Sequence, residues 1–142
     1  MICSSRRRCV VNDFNRDSHP DVVIGNSGTD SINVFLGIEK FSFTNQTTYS
    51  TGPVSSPYSV TIDYFNNGRK LDIIVVNYND NNFGLLLGHD NEIFDNVMLE
   101  VLEYGSHLFF FIVLADYSNN GKMDFYIAKK GIDSLTIYLQ TS

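Results

Sequence analysis

The chain has 142 residues, of which 43% are hydrophobic, 13% aromatic and 18% charged, a globular composition that excludes a disordered, charge-rich tail. Its net charge of -6 and pI near 4.8 exclude a nucleic-acid binder, because phosphate binding needs clustered Lys and Arg. The longest apolar run, Leu108 to Ala115, falls far short of the ~20 residues that cross a bilayer as a helix, so no membrane span is expected.

Residues 1–8 read as an N-terminal segment whose basic run, Arg6-Arg7-Arg8, is a solvated end of the chain. No apolar stretch of about seven residues follows those arginines, so no secretory signal is expected within this sequence. Cys3 and Cys9 have no His or Cys partners at zinc spacing, which leaves a disulfide and two free thiols as alternatives. A first strand is predicted at Cys9-Val10-Val11, then an Asp/Asn-rich loop from Asp13 to Asp21, a β-branched strand at Val22-Val23-Ile24, a turn, a third strand from Ile32 to Leu36 and a weaker fourth from Phe43 to Tyr49. Asn45-Gln46-Thr47 fits the N-glycosylation acceptor pattern, which matters only in a secretory pathway.

The same order then recurs. Strands are predicted at Tyr58–Ile62, Ile73–Val76, Phe83–Leu87 and Val97–Leu102, and again at Leu108–Ala115, Phe125–Ala128 and Leu135–Leu139. The aspartates that end the acidic loops, Asp21, Asp72 and Asp124, are spaced by 51 and 52 residues, and Leu36-Gly37 and Leu87-Gly88, like Phe43 and Phe94, keep the 51-residue step. The units are therefore 9–57, 58–106 and 107–142, the last without its fourth strand. A repeat of four short strands predicts an all-β fold of about three four-stranded antiparallel propeller-type blades, in preference to a β-sandwich, which needs no repeat. Closed propellers have about 4 to 8 blades, whereas 142 residues hold about 2.8 steps of 51. An incomplete or open propeller is expected, one that needs self-association or further blades to close.

The acidic loops carry the chemistry. Asp13, Asn15, Asp17 and Asp21 place side-chain oxygens at alternate positions and then four further on, a spacing that suits the 6 to 8 oxygen ligands of Ca²⁺. His19 would add only its backbone carbonyl. Against an EF-hand, Ser18 stands at the glycine position, Ile24 at that of the last glutamate, and a strand follows in place of a helix. Asp and Asn that merely cap a turn are the alternative; in the first loop three carboxylates would repel one another without a cation, which favours calcium. In the third loop, Asp116, Ser118, Asn120 and Asp124 supply two carboxylates, and both readings stand. The second loop, with Tyr64, Asn66, Gly68 and Asp72 in register and Asp63 displaced, favours the turn.

This pattern, an Asp/Asn loop ending in Asp and an apolar strand and recurring about every 50 residues, resembles the FG-GAP/VCBS repeat family of integrin-type and bacterial-type β-propellers. The resemblance spans roughly residues 9 to 139. It implies four-stranded blades, calcium in the loop between a blade's first two strands, and an extracellular or cell-surface role in adhesion or ligand binding. Asp13, Asn15, Asp17 and Asp21 match the family's ligands in full, Asp116, Ser118, Asn120 and Asp124 in part, and Asn66 and Asp72 are remnants. The chain departs from the family in lacking a clear Phe-Gly…Gly-Ala-Pro segment, in its reduced second loop and in its blade number.

No catalytic constellation is found. His19, His89 and His107 fall in or beside predicted turns with no nucleophile motif, and Asp90 and Glu92 near His89 read as a solvated loop. The expectation is a non-catalytic, calcium-binding module for a protein or glycan ligand. The alternatives are a propeller fragment of a larger extracellular enzyme, such as a lyase or glycan-processing protein, and a decayed repeat without independent function.

Overall fold

The β-branched runs dictate the architecture. Val22-Val23-Ile24 and Ile73-Ile74-Val75-Val76 suit a pleated, packed surface, and in the computed structural model they form inner strands of two antiparallel sheets. The structure describes residues 9–44, 46–65, 68–79, 82–90, 94–95, 98–101, 109–121, 124–129 and 134–138. The N-terminal segment 1–8 with Cys3, together with Asn45, Asn66, Glu92 and His107, lies outside the described residues.

The first unit runs β1 (Cys9–Asn12), β2 (Asp21–Asn26), β3 (Ser31–Phe35), a short ladder of β4 (Gly37–Ile38) and β5 (Ser42–Phe43), and β6 (Thr47–Ser50). Its sheet has the spatial order β1-β2-β3-β6. The second unit is β7 (Pro57–Asp63), β8 (Asp72–Asn77), β9 (Asn82–Leu86) and β10 (Met98–Val101), each strand paired to the next. A third sheet follows with β11 (Phe109–Ala115), β12 (Asp124–Lys129) and β13 (Ser134–Tyr138). The first strands of the second and third units both shift register, between Pro57 and Ser59 and between Phe109 and Phe111. The repeat therefore extends to a bulge. Among the described residues none of the three sheets closes on itself, and the arrangement is that of an incomplete propeller.

One expected element is divided. The fourth strand of the first unit, predicted from Phe43 to Tyr49, is split between β5, where Phe43 pairs with Gly37, and β6, whose Thr47 pairs with Val34. Lys40 (φ 63°) and Phe41 (φ 59°) turn the chain back through a 3-10 turn, Glu39–Phe41, and Thr44 N–H donates to the Leu36 carbonyl at 2.8 Å. Among the described residues there is no α-helix.

The core lies between the first two sheets. Val23, Ile32 and Val34 of the first meet Val60, Ile73, Val75 and Leu86 of the second, and each such side chain stabilises the fold by about 1.5–3 kcal/mol on full burial. All of β8 is buried, because β1 and β2 approach β7 on one side while β11 approaches β7 and β8. That explains its unbroken apolar run. The connection from β6 to β7 is fixed by Asp30, whose carboxylate accepts from Val54 N–H (2.8 Å) and Ser56 N–H (2.9 Å), and by the buried Thr51 and Ser55 hydroxyls, 2.7 Å apart. Cys9 is disulfide-bonded.

Candidate functional site

The first acidic loop is folded by its own side chains. Asp13 accepts from the N–H of Asp17 (3.1 Å) and of Ser18 (3.0 Å), Asn15 Oδ1 also accepts from Asp17 N–H (3.1 Å), and Asp17 accepts from His19 N–H (2.8 Å). Asn15 Nδ2 donates to Asp17 Oδ2 at 3.0 Å. These are Asx-type turns, in which a short polar side chain replaces a backbone partner. They hold Arg16 (φ 64°) and Ser18 (φ 71°) in the left-handed region, at about 1–2 kcal/mol each for an L side chain.

The third loop repeats this construction position by position. Asp116 accepts from the N–H of Asn120 (3.0 Å) and of Gly121 (2.8 Å), as Asp13 does four and five residues on. Positive φ recurs at Asn119 (53°) and Gly121 (79°), the counterparts of Arg16 and Ser18. Two loops that share only Asp13/Asp116, Asp21/Asp124 and a scatter of polar residues thus fold alike. In the second loop, Asp63 accepts from Tyr64 N–H at 2.7 Å. Arg16 ties the first loop to the second by donating from Nη2 to the Arg69 carbonyl at 2.6 Å.

The final aspartates do something different from the others. Asp21, Asp72 and Asp124 are fully buried. Asp21 accepts from Phe14 N–H (2.6 Å) at the start of its loop and from Gly37 N–H (2.7 Å) at the start of β4; Asp72 accepts from Gly88 N–H (2.9 Å), and Asp124 from Ser118 N–H (2.9 Å). Each of these carboxylates fastens its loop to the sheet. Burial pushes the Asp21 carboxyl above its ordinary pKa against the pull of the Gly37 and Phe14 N–H groups, and the charges of Asp17 and Asp13 push it further. The exposed Asp17 carboxyl is held below its ordinary pKa, chiefly by the His19 N–H.

Asp13, Asn15, Asp17 and Asp21 therefore lie on one loop, in which the charges of Asp13 and Asp17 repel that of Asp21. Among the described residues, no three His, Cys, Asp or Glu side chains are grouped closely enough to hold an ion as they stand, since the carboxylate oxygens face loop N–H groups. The donor chemistry fits a hard cation: three carboxylates, an amide oxygen and the His19 carbonyl are all oxygen. Asp116, Ser118, Asn120 and Asp124 offer the same places with two carboxylates.

Sequence reasoning passed over the partners of these loops. Gly37 and Gly88 keep the 51-residue step because a Cβ there would fall 2.2 Å from the Pro20 carbonyl oxygen and 2.3 Å from that of Leu71. Phe94, the counterpart of Phe43, is buried between Phe14 and Tyr49, edge to face with both at centroid distances of 6.4 and 5.8 Å. Equal spacing was the available signal. His89 sits 2.6 Å from Asp95, and Asp90 pairs with Lys70 at 3.6 Å; both are solvated surface pairs.

No helix among the described residues is long and apolar enough to cross a membrane. No curated protein matches the chain. Residues 13–75, from the first acidic loop into β8, match the family model of the FG-GAP-like repeat, and over that stretch the chain is similar to an FG-GAP-type repeat, consistent with the propeller-type arrangement of its sheets.

Proposed function

We propose that the chain is a non-catalytic, calcium-binding repeat module for a protein or glycan ligand outside the cell, with the principal calcium site in the first acidic loop. The observation that carries this reading is the accumulation of three carboxylates, Asp13, Asp17 and Asp21, on a nine-residue loop, where the charges of Asp17 and Asp13 add to burial in opposing the ionisation of Asp21. A bound cation would remove that repulsion. Asp13, Asn15, Asp17 and Asp21 would hold it through side-chain oxygens and His19 through its carbonyl. Asp116, Ser118, Asn120 and Asp124 would hold a second, weaker ion, since affinity follows ligand charge. The matched repeat and the disulfide-bonded Cys9 both support an oxidising, extracellular setting.

Titration calorimetry with calcium tests the site. The wild-type chain should show a tightest event that Asp17→Ala removes and Asp116→Ala leaves in place. A wild-type chain without calcium heat, or an isotherm unchanged by Asp17→Ala, would refute the assignment.

A further inference from the structure

The repeat gives each surface of the first unit a counterpart in the second. On the second unit, Lys70, Leu71, Gly88, His89 and Phe94 line a cleft of only about 10 Å³, because Phe14, Asn15 and Leu36 of the first unit stand in it. Phe94 is 7% exposed there and meets Phe14 with ring planes at 86°. Earlier by 51 residues, His19, Pro20, Gly37, Ile38 and Phe43 line the same place on the first unit, and there the cavity measures about 350 Å³ and is walled mainly by apolar atoms. Around it Phe43 is 38%, Ile38 46% and Phe41 99% exposed.

The strand face behind the cavity continues the correspondence. Val11, Val22 and Phe35 lie opposite one another across β1, β2 and β3, in the register in which Ile62, Ile73 and Leu86 lie across β7, β8 and β9. In the second unit that face packs on the first sheet; in the first unit Val22 at its centre is 7% exposed, while Val11 at its edge is 57% exposed. The outer half of the face is polar at Asn33 and Thr48, joined by a 3.0 Å hydrogen bond, which leaves the loop end as the apolar seat. A side chain able to fill it exists elsewhere in the chain. Tyr117 holds in the third loop the place that Phe14 holds in the first, directly after the capping aspartate, on a loop with the same pair of left-handed residues. It is 64% exposed.

We propose that the cavity beside Phe43 receives a second copy of this chain, with Tyr117 of the copy entering it as Phe14 enters the cleft beside Phe94. The contact is head-to-tail, so each copy uses two different surfaces. Two copies that each dock on the other close a ring of six units, inside the range of about 4 to 8 blades in which propellers close. The contact does not depend on the calcium reading, because Phe14 and Phe94 meet through apolar rings.

Sedimentation of the 142-residue chain across a hundredfold concentration range tests this, with calcium and with EDTA. The wild-type chain should associate to twice 16.1 kDa in both. Phe43→Asp and Tyr117→Asp should each weaken association at least tenfold while keeping the far-ultraviolet circular dichroism of the wild type. An equimolar mixture of the two variants should recover dimers, because one intact Phe43 then meets one intact Tyr117. Val54→Asp, at an exposed site on the opposite, turn end of the unit, should leave association unchanged. A wild-type chain that stays at 16.1 kDa, variants that dimerise normally, or a mixture that fails to recover dimers would each overturn the proposal.

Discussion

Gly37 donates its N–H to the fully buried carboxylate of Asp21 at 2.7 Å, joining the start of β4 to the start of β2. The approach is so close that a methyl group on Gly37 would lie 2.2 Å from the Pro20 carbonyl oxygen, and one on Gly88 would lie 2.3 Å from that of Leu71. Backbone cannot yield as a side-chain tip can. Gly37→Ala and Gly88→Ala should each destabilise the fold by about 1–3 kcal/mol, the cost of overpacking a closed site, seen as a lower urea midpoint with an unchanged slope. A midpoint equal to that of the wild type would show that the two loops are not pinned in this way.

Ser18 offers the opposite test. Its φ of 71° matches the 79° of Gly121 in the third loop, where nature has used the residue that meets no steric penalty. An L side chain in that region costs about 1–2 kcal/mol, while glycine loses about 0.5–1 kcal/mol through the freedom of the unfolded chain. The first effect is larger. Ser18→Gly should raise stability by about 0.5–1 kcal/mol, the balance of those two penalties, measured by urea unfolding in EDTA. A loss of stability would mean that the Ser18 conformation carries no strain.

The strands and their period were legible because burial imposes a pattern on residue types. Ile73 to Val76 is apolar throughout because both faces of β8 are covered, and the 51-residue step of Gly37/Gly88 and Phe43/Phe94 is visible before any contact is known. What that step does was not legible. The partners of Asp21 and Asp72 at Gly37 and Gly88 lie 16 residues further along the chain, and the partner of Phe94 is Phe14 of another unit. Spacing alone did not show that Asp21, unlike the exposed Asp17, is fully buried and also fastens its loop to the start of β4. The split of the predicted fourth strand was hidden for a local reason: Lys40 and Phe41 adopt left-handed backbone without being residues that favour it.

Asp17 and Asp21 should consequently separate when calcium is varied. Asp17 is exposed, and its hydrogen bonds stay within the loop, so Asp17→Ala in EDTA should change stability by less than about 1 kcal/mol, the net worth of an ordinary hydrogen bond. Asp21→Asn keeps the shape but turns an amide N–H₂ toward Phe14 N–H or Gly37 N–H. A buried donor left facing a donor costs about 1–3 kcal/mol, and that loss should persist in EDTA. Melting curves with and without calcium read both effects. A wild-type chain at 100 times its Kd should gain about 2.7 kcal/mol, a gain that Asp17→Ala should abolish. Equal losses for the two variants in EDTA would contradict the division of roles.

Phe94 and Phe43 provide a final comparison, since they occupy the same position in successive units with opposite surroundings. Phe94 is 7% exposed and packs edge to face on Phe14 and Tyr49, and its N–H donates to the Tyr49 hydroxyl at 3.2 Å. Removing a buried Phe side chain costs about 3–5 kcal/mol through lost transfer energy and the cavity left behind, so Phe94→Ala should come close to unfolding a domain whose total stability is about 5–15 kcal/mol. Phe43 is 38% exposed and meets Phe35 edge-on at 6.4 Å. Such an aromatic pair contributes about 0.5–1.5 kcal/mol beyond its buried area. At protein concentrations low enough to keep the chain monomeric, Phe43→Ala should therefore cost at least about 1.5 kcal/mol less than Phe94→Ala, the smallest difference between those two ranges. Tyr49→Phe, which keeps the ring and deletes only the acceptor for Phe94 N–H, should fall between them at about 1–3 kcal/mol. Urea unfolding of the three variants at nanomolar concentration, followed by tyrosine fluorescence, orders them. If Phe43→Ala proved as costly as Phe94→Ala in the monomer, the first-unit seat would already be filled within a single chain.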